Sequence, residues 1–129
     1  MDIQAITYRG RTVAACTRRR FFLSDDIADR DPNDPLVSFV IGMCLYAHLV
    51  AAGDMPGPYT DDDARAYARD CLIPDELLDR AELDVESVAA WLRVPADELR
   101  LARRERNLRR MGRVGDAAGR RLARRARQR

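Results

Sequence analysis

Pro35–Gly53 reads PLVSFVIGMCLYAHLVAAG, 19 residues without a formal charge. A run this apolar is either a buried helix or a membrane span, and a span needs about 18 or more apolar residues. Ser38, Gly42, His48 and several alanines dilute the hydrophobicity, which argues against the span. Leu36–Ala52 is apolar nearly all round, and that pattern predicts a helix buried on every side. Leu45 is then a core residue, so Leu45→Asp is expected to prevent folding by burying an unpaired charge.

Upstream of this helix, Ile3–Tyr8 and Arg11–Cys16 carry β-branched residues on either side of Arg9–Gly10, which predicts a hairpin. Thr17–Arg20 is a polar break and Phe21–Leu23 a third strand. Ser24–Pro35 is rich in Asp, Asn and Pro, a composition that predicts a loop with no regular element. Downstream, two Gly and two Pro in Gly53–Pro58 end the central helix. Thr60 is an N-cap with Asp63 as its capping-box partner. Asp61 and Asp62 sit in the same first turn, where the helix dipole favours anions. Ala64, Tyr67, Ala68, Cys71 and Leu72 follow at helical spacing as one apolar face. Pro74 stops that helix, and Asp75–Arg80 makes a short further turn.

Asp84 caps the next helix, whose apolar face is Val85, Val88, Ala89 and Leu92. Arg93–Val94 is a tight break, and Pro95 suits the start of a helix running from Ala96 to about Arg110. Gly112 and Gly115 interrupt, and Asp116–Gln128 reads as a last basic helix. The expected fold is α+β, with a small N-terminal antiparallel sheet packed on a buried central helix. A helical C-terminal half follows, with a helix–turn–helix-like unit and a basic arm. The 129 residues fit one folded domain over 1–104, with an arginine-rich arm over 105–129.

The formal net charge of +2 conceals an asymmetry. All 23 basic residues are arginine, and residues 100–129 hold 13 of them against Glu105 and Asp116. Residues 1–99 hold 10 arginines against 19 acids. An acidic body with a basic arm points to nucleic acid, to an acidic partner, or to a tail that neutralises its own body. The three cysteines, Cys16, Cys44 and Cys71, have no repeated spacing and make no disulfide framework. Cys44 and Cys71 stand in apolar surroundings and are expected to be buried. Asp2 and the lack of an apolar stretch after it lead to the expectation of no signal peptide and of a cytoplasmic protein.

Asp61–Pro74, DDDARAYARDCLIP, and Val85–Arg103, VESVAAWLRVPADELRLAR, resemble two helical patterns of the ImmA/IrrE metallopeptidase family. Its members carry a central helix of pattern F-T-x-A-H-E-x-x-H, a second helix E-x-x-A-N-x-F-A-x-x-L-L-M-P and a unit similar to L-A-x-x-F-x-V-S-x-x-A-L-x-x-R. Asp61–Pro74, DDDARAYARDCLIP, matches the second pattern at Ala64, Tyr67, Ala68, Leu72, Ile73 and Pro74. Val85–Arg103, VESVAAWLRVPADELRLAR, matches the third at Val88, Ala89, Leu92, Val94 and Leu99. Phe39–His48 matches the first only at Phe39 and the apolar positions. The resemblance spans residues 20–104 and implies a non-membrane α+β fold with the apolar helix at its centre. It also implies a protein partner, a helix–turn–helix regulator, in a phage or mobile-element setting.

The departures decide the chemistry. HExxH places two imidazoles one turn apart so that both reach a single zinc, with the glutamate beside it as general base. Those five positions are Met43, Cys44, Leu45, Tyr46 and Ala47 here. His48 is one residue out of register, about 100° around the helix. The third ligand would fall near Asp61–Asp63, and the family's Asn is Arg65. Catalytic zinc needs about three protein ligands, so the expectation is a pseudoenzyme with no catalytic residue, metal or cofactor.

Other chemistry is weaker. His48 reads as a hydrogen-bonded core histidine. A zinc site from Cys44, His48 and Cys71 lacks the usual spacing. A nucleophile at Ser38 or Cys44 has only His48 as base and no orienting acid nearby. Asp61–Asp63 is explained by the capped helix start. The arm remains, with Arg103, Arg104, Arg106, Arg109, Arg110, Arg113, Arg120, Arg121, Arg124, Arg125 and Arg127 as candidate contacts to DNA, RNA or an acidic partner. Residues 100–129 contain no aromatic side chain, which leaves backbone-type, salt-sensitive binding. Asp97 and Glu98 would repel phosphate at the start of a recognition helix, so Val85–Arg103 reads as a packing motif.

Overall fold

Arg9 and Gly10 have φ angles of 54° and 77°. Two consecutive positive φ values define the tight turn whose twist suits a two-residue hairpin. The turn joins β1 (Gln4–Tyr8) to β2 (Arg11–Cys16), and β3 (Phe21–Leu23) pairs antiparallel on the far side of β2. Ile6 pairs with Ala14 but Thr7 pairs with Thr12, so Val13 is an extra residue in β2. This bulge lets the consecutive residues Val13 and Ala14 both be buried. The structure, a computed structural model, describes residues 3–80 and 82–109.

The loop expected after β3 contains a helical turn, α1 (Asp25–Ala28). The Ser24 carbonyl accepts from the Ile27 and Ala28 N–H groups, and Ile27 is 3% exposed. A single apolar anchor overrides the turn-forming composition around it.

The central helix is α2 (Pro35–Ala51). Pro35 occupies its first turn, and the Asp34 carboxylate accepts from the Leu36 N–H at 2.9 Å. Phe39, Val40, Met43 and Cys44 are fully enclosed. The helix is not buried on every side, however. Ile41 and Leu45 are 41% and 46% exposed, so Leu45 is no core residue and the expectation for Leu45→Asp does not hold. Apolarity all round reports composition; only the placement of the sheet and the next helix fixes which sides are covered.

α3 (Asp61–Leu72) begins at Thr60, whose hydroxyl accepts from the Asp63 N–H at 3.1 Å. It crosses α2 closely, because a Cβ built on Gly42 would stand 2.9 Å from the Ala68 Cβ. Ala64 and Ala68 are fully buried at this crossing, while Cys71 is exposed, contrary to expectation. Its position follows from α3 covering α2 on one side only.

Pro74 leads into α4 (Asp75–Leu78). α5 (Val85–Leu92) is capped by Asp84, which accepts from the Ser87 N–H at 3.1 Å. Arg93 adopts a left-handed conformation, φ 60°, and turns the chain into α6, residues 96–109. Ile73, Ala89, Val94, Leu99 and Ala102 form a second apolar cluster, and Leu72 touches both this and the main core. The architecture is α+β, as expected from the sequence. Helix α6 runs unbroken through 104–105, where the arm was expected to begin. The last basic helix, Asp116–Gln128, lies outside the described residues.

Candidate functional site

Four of the five HExxH-equivalent positions on α2 face the main core, and the fifth, Leu45, is on the exposed side. Met43, Cys44, Tyr46 and Ala47 are buried among apolar side chains, and burial pushes the Cys44 thiol up to about 12. Asp61, near the third ligand position, accepts from the Thr7 N–H at 3.1 Å and from the Tyr59 hydroxyl at 2.9 Å. Among the described residues no group of three His, Cys, Asp or Glu is placed to hold a metal. The residues at these positions do not fit a catalytic zinc. His48 is half-buried and its ring makes no hydrogen bond among the described residues, contrary to the expected satisfied core histidine. It shares the outward face of α2 with Ile41 and Leu45, seven and three residues earlier.

The strongest polar constellation is one that the sequence pattern did not single out. Glu98, at the start of α6, is 1% exposed. Its Oε1 accepts from the Tyr8 hydroxyl at 2.9 Å and from Arg65 Nη2 at 2.7 Å. Its Oε2 accepts from Arg69 Nη1 at 3.0 Å, and Arg69 Nη2 reaches Glu105 at 3.1 Å. Burial, then the Glu98 charge, raises the Tyr8 hydroxyl well above its usual range. Arg65 also lies over the Tyr8 ring, 5.5 Å from its centroid. The spacing held a signal: Arg65 and Arg69 are one turn apart on α3, and Glu98 and Glu105 two turns apart on α6. Asp97 pairs with Arg9 on the hairpin. Both carboxylates read as obstacles to phosphate therefore tie α6 to the body.

The arm residues divide. Arg103 Nη2 donates to the Arg80 and Leu83 carbonyls, each at 3.2 Å, and its buried Nε has no hydrogen-bond partner among the described residues. Arg106 pairs with Asp79 at 3.0 Å and Asp75 at 3.3 Å. Arg109 stands 3.9 Å from Glu105, and Arg104 is exposed. Arg110, Arg113, Arg120, Arg121, Arg124, Arg125 and Arg127 lie outside the described residues. A tail that neutralises its own body would meet acids such as Asp61–Asp63 or Glu82–Glu86. Arg100, the first arginine of residues 100–129, does pair with Glu86, while Arg106 meets Asp75 and Asp79.

Large apolar side chains remain on the surface. Besides Ile41 and Leu45, Phe21 at the start of β3 is 45% exposed. Phe21 is the register partner of Cys16, whose thiol meets the Cys44 carbonyl of α2. Trp91 on α5 is 77% exposed. Among the described residues no helix is long and apolar enough to cross a membrane. Comparison with protein-family models, with curated proteins and with solved structures finds no match to this chain.

Proposed function

We propose that this chain is a non-catalytic regulatory or adaptor protein of ImmA/IrrE-like type that works by holding a protein partner in the cytoplasm. The observation that supports this reading is the face of α2 opposite the core. Ile41, Leu45 and His48 lie there one turn apart, on the helix where the resemblance would place a zinc motif. Exposed apolar side chains grouped on one element are the usual mark of a protein contact. By resemblance the partner is a helix–turn–helix regulator of a phage or mobile element. The test is affinity capture from the native host with wild type and with Ile41→Ser/Leu45→Ser. Recovery of such a regulator by wild type, and its loss in the variant, supports the reading. Zinc-dependent peptide hydrolysis by the purified protein overturns it.

A second reading has its own support. Exposed Arg104 lies within residues 100–129, where 13 arginines are set against only Glu105 and Asp116. Backbone-type binding of DNA or RNA through that segment would be independent of sequence and would fall steeply with salt. Arg103 and Arg106 contribute less to it, because the body already engages both.

A further inference from the structure

The open face of the sheet carries chemistry that neither reading uses. Ala5, Ala15 and Phe22 are register partners in one row across β1, β2 and β3. The neighbouring row, Ile6, Ala14 and Leu23, faces the main core, so this row faces away from it. Ala5 is exposed, Ala15 half-buried and Phe22 54% exposed. Ile3, two residues before Ala5 and 68% exposed, falls on the same side. The row therefore sets two small side chains beside one exposed phenyl ring.

The turn between β2 and β3 borders this face. The Thr17 N–H donates to the Arg20 carbonyl at 2.8 Å, and the Thr17 hydroxyl accepts from the Arg20 N–H at 3.3 Å. The turn is thereby fixed while Arg18, Arg19 and Arg20 stay exposed, and none of the three forms an ion pair among the described residues. Three consecutive guanidiniums without a carboxylate make a local polyanion site.

We infer that this face binds single-stranded nucleic acid, with phosphates on Arg18–Arg20 and an unpaired base stacked on Phe22. Every base has a π-face, so such a ring accepts any sequence, whereas a duplex hides its base faces in the stack. A planar lipid surface suits the site less well. Phe21 and Phe22 point to opposite faces of β3, so only one can enter a membrane plane with the arginine turn. The site lies on the folded body and depends on neither the adaptor reading nor residues 105–129.

The test uses the full chain and a labelled oligothymidylate of about 12 nucleotides, within the site sizes known for single-strand binding folds. Anisotropy titrations compare it with a duplex of equal length. The single strand is expected to bind more tightly. Phe22→Leu should weaken single-strand binding about tenfold while Phe22→Tyr retains it, because stacking needs the ring and not merely its area. Converting Arg18, Arg19 and Arg20 together to Gln should lower the salt slope by about two units. Unchanged affinity in both the leucine and the triple-glutamine variants assigns binding to the arm and overturns the inference. Equal losses for Phe22→Leu and Phe22→Tyr also overturn it. So does Phe22-dependent capture on phosphatidylserine–phosphatidylcholine vesicles without oligonucleotide binding, which assigns the face to a membrane surface.

Discussion

The Tyr8 hydroxyl donates to Glu98 at 2.9 Å across 90 residues of sequence, joining the first strand to the last described helix. Arg65 and Arg69 complete the shell around the same carboxylate. Removing one member of a buried ion group leaves the others uncompensated, which costs about 3–5 kcal/mol. Glu98→Ala should lose that much in urea unfolding. Tyr8→Phe should lose less, about 1.5–3 kcal/mol, the share of one hydrogen bond to a charged group. A double variant whose losses simply add would refute the coupling.

Gly42→Ala tests the crossing of α2 and α3. Its Cβ would meet the Ala68 Cβ at 2.9 Å and the Ala68 Cα at 3.3 Å, so one helix would have to shift to admit it. Overpacking of this kind costs about 1–3 kcal/mol, more than the helix propensity gained. Adding Ala68→Gly should restore part of the loss; no recovery in thermal melts would show that the helices do not meet there.

Leu45 and Met43 separate surface from core on one helix. Met43→Ala should cost about 2–5 kcal/mol, since the side chain is fully buried. Leu45→Asp, on the 46% exposed side, should fold with a nearly unchanged melting temperature and no longer bind the partner proposed for α2. Failure of Leu45→Asp to fold would mean that the face is covered.

The thiols should differ in reactivity. Burial raises the pKa of Cys16 and lifts that of Cys44 to about 12, so both stay protonated and enclosed at neutral pH. Cys71 is exposed. Titration of native protein with Ellman's reagent should release about one equivalent quickly and the other two only in denaturant. Fast reaction of all three would contradict the buried positions.

Arg103 and Arg104 make a matched pair for the arm. Arg103→Ala removes two bonds to backbone carbonyls and should lower the melting temperature without changing the salt slope of duplex binding. Arg104→Ala should leave stability alone. If the segment binds nucleic acid, it should flatten the slope by about one unit. Replacing Arg120, Arg121, Arg124 and Arg125 should flatten it by about one unit for each phosphate no longer neutralised. The same slopes in all variants would remove the arm as a phosphate-binding element.

Strand and helix positions are legible in the sequence because their signals are local. Arg9–Gly10 dictates the hairpin, Thr60 and Asp84 mark helix starts through their own hydroxyl and carboxylate, and Pro74 ends α3. The α1 turn is not legible, because one buried Ile27 outweighs the Asp, Asn and Pro residues around it. Cys71 and Leu45 depart from expectation for a related reason. Their helices carry apolar residues on more sides than the fold has partners to cover.

The sequence by itself determined the α+β class, the order of the strands and of the helices other than α1, the Thr60 and Asp84 caps and the absence of the HExxH side chains, all of which follow from residue identity and spacing along a few turns of chain. Only the tertiary structure decided which sides of α2 are open, and it alone brought Tyr8, Arg65, Arg69 and Glu98 together. Burial and ion pairing are properties of neighbours in space, and here those neighbours come from both ends of the described chain.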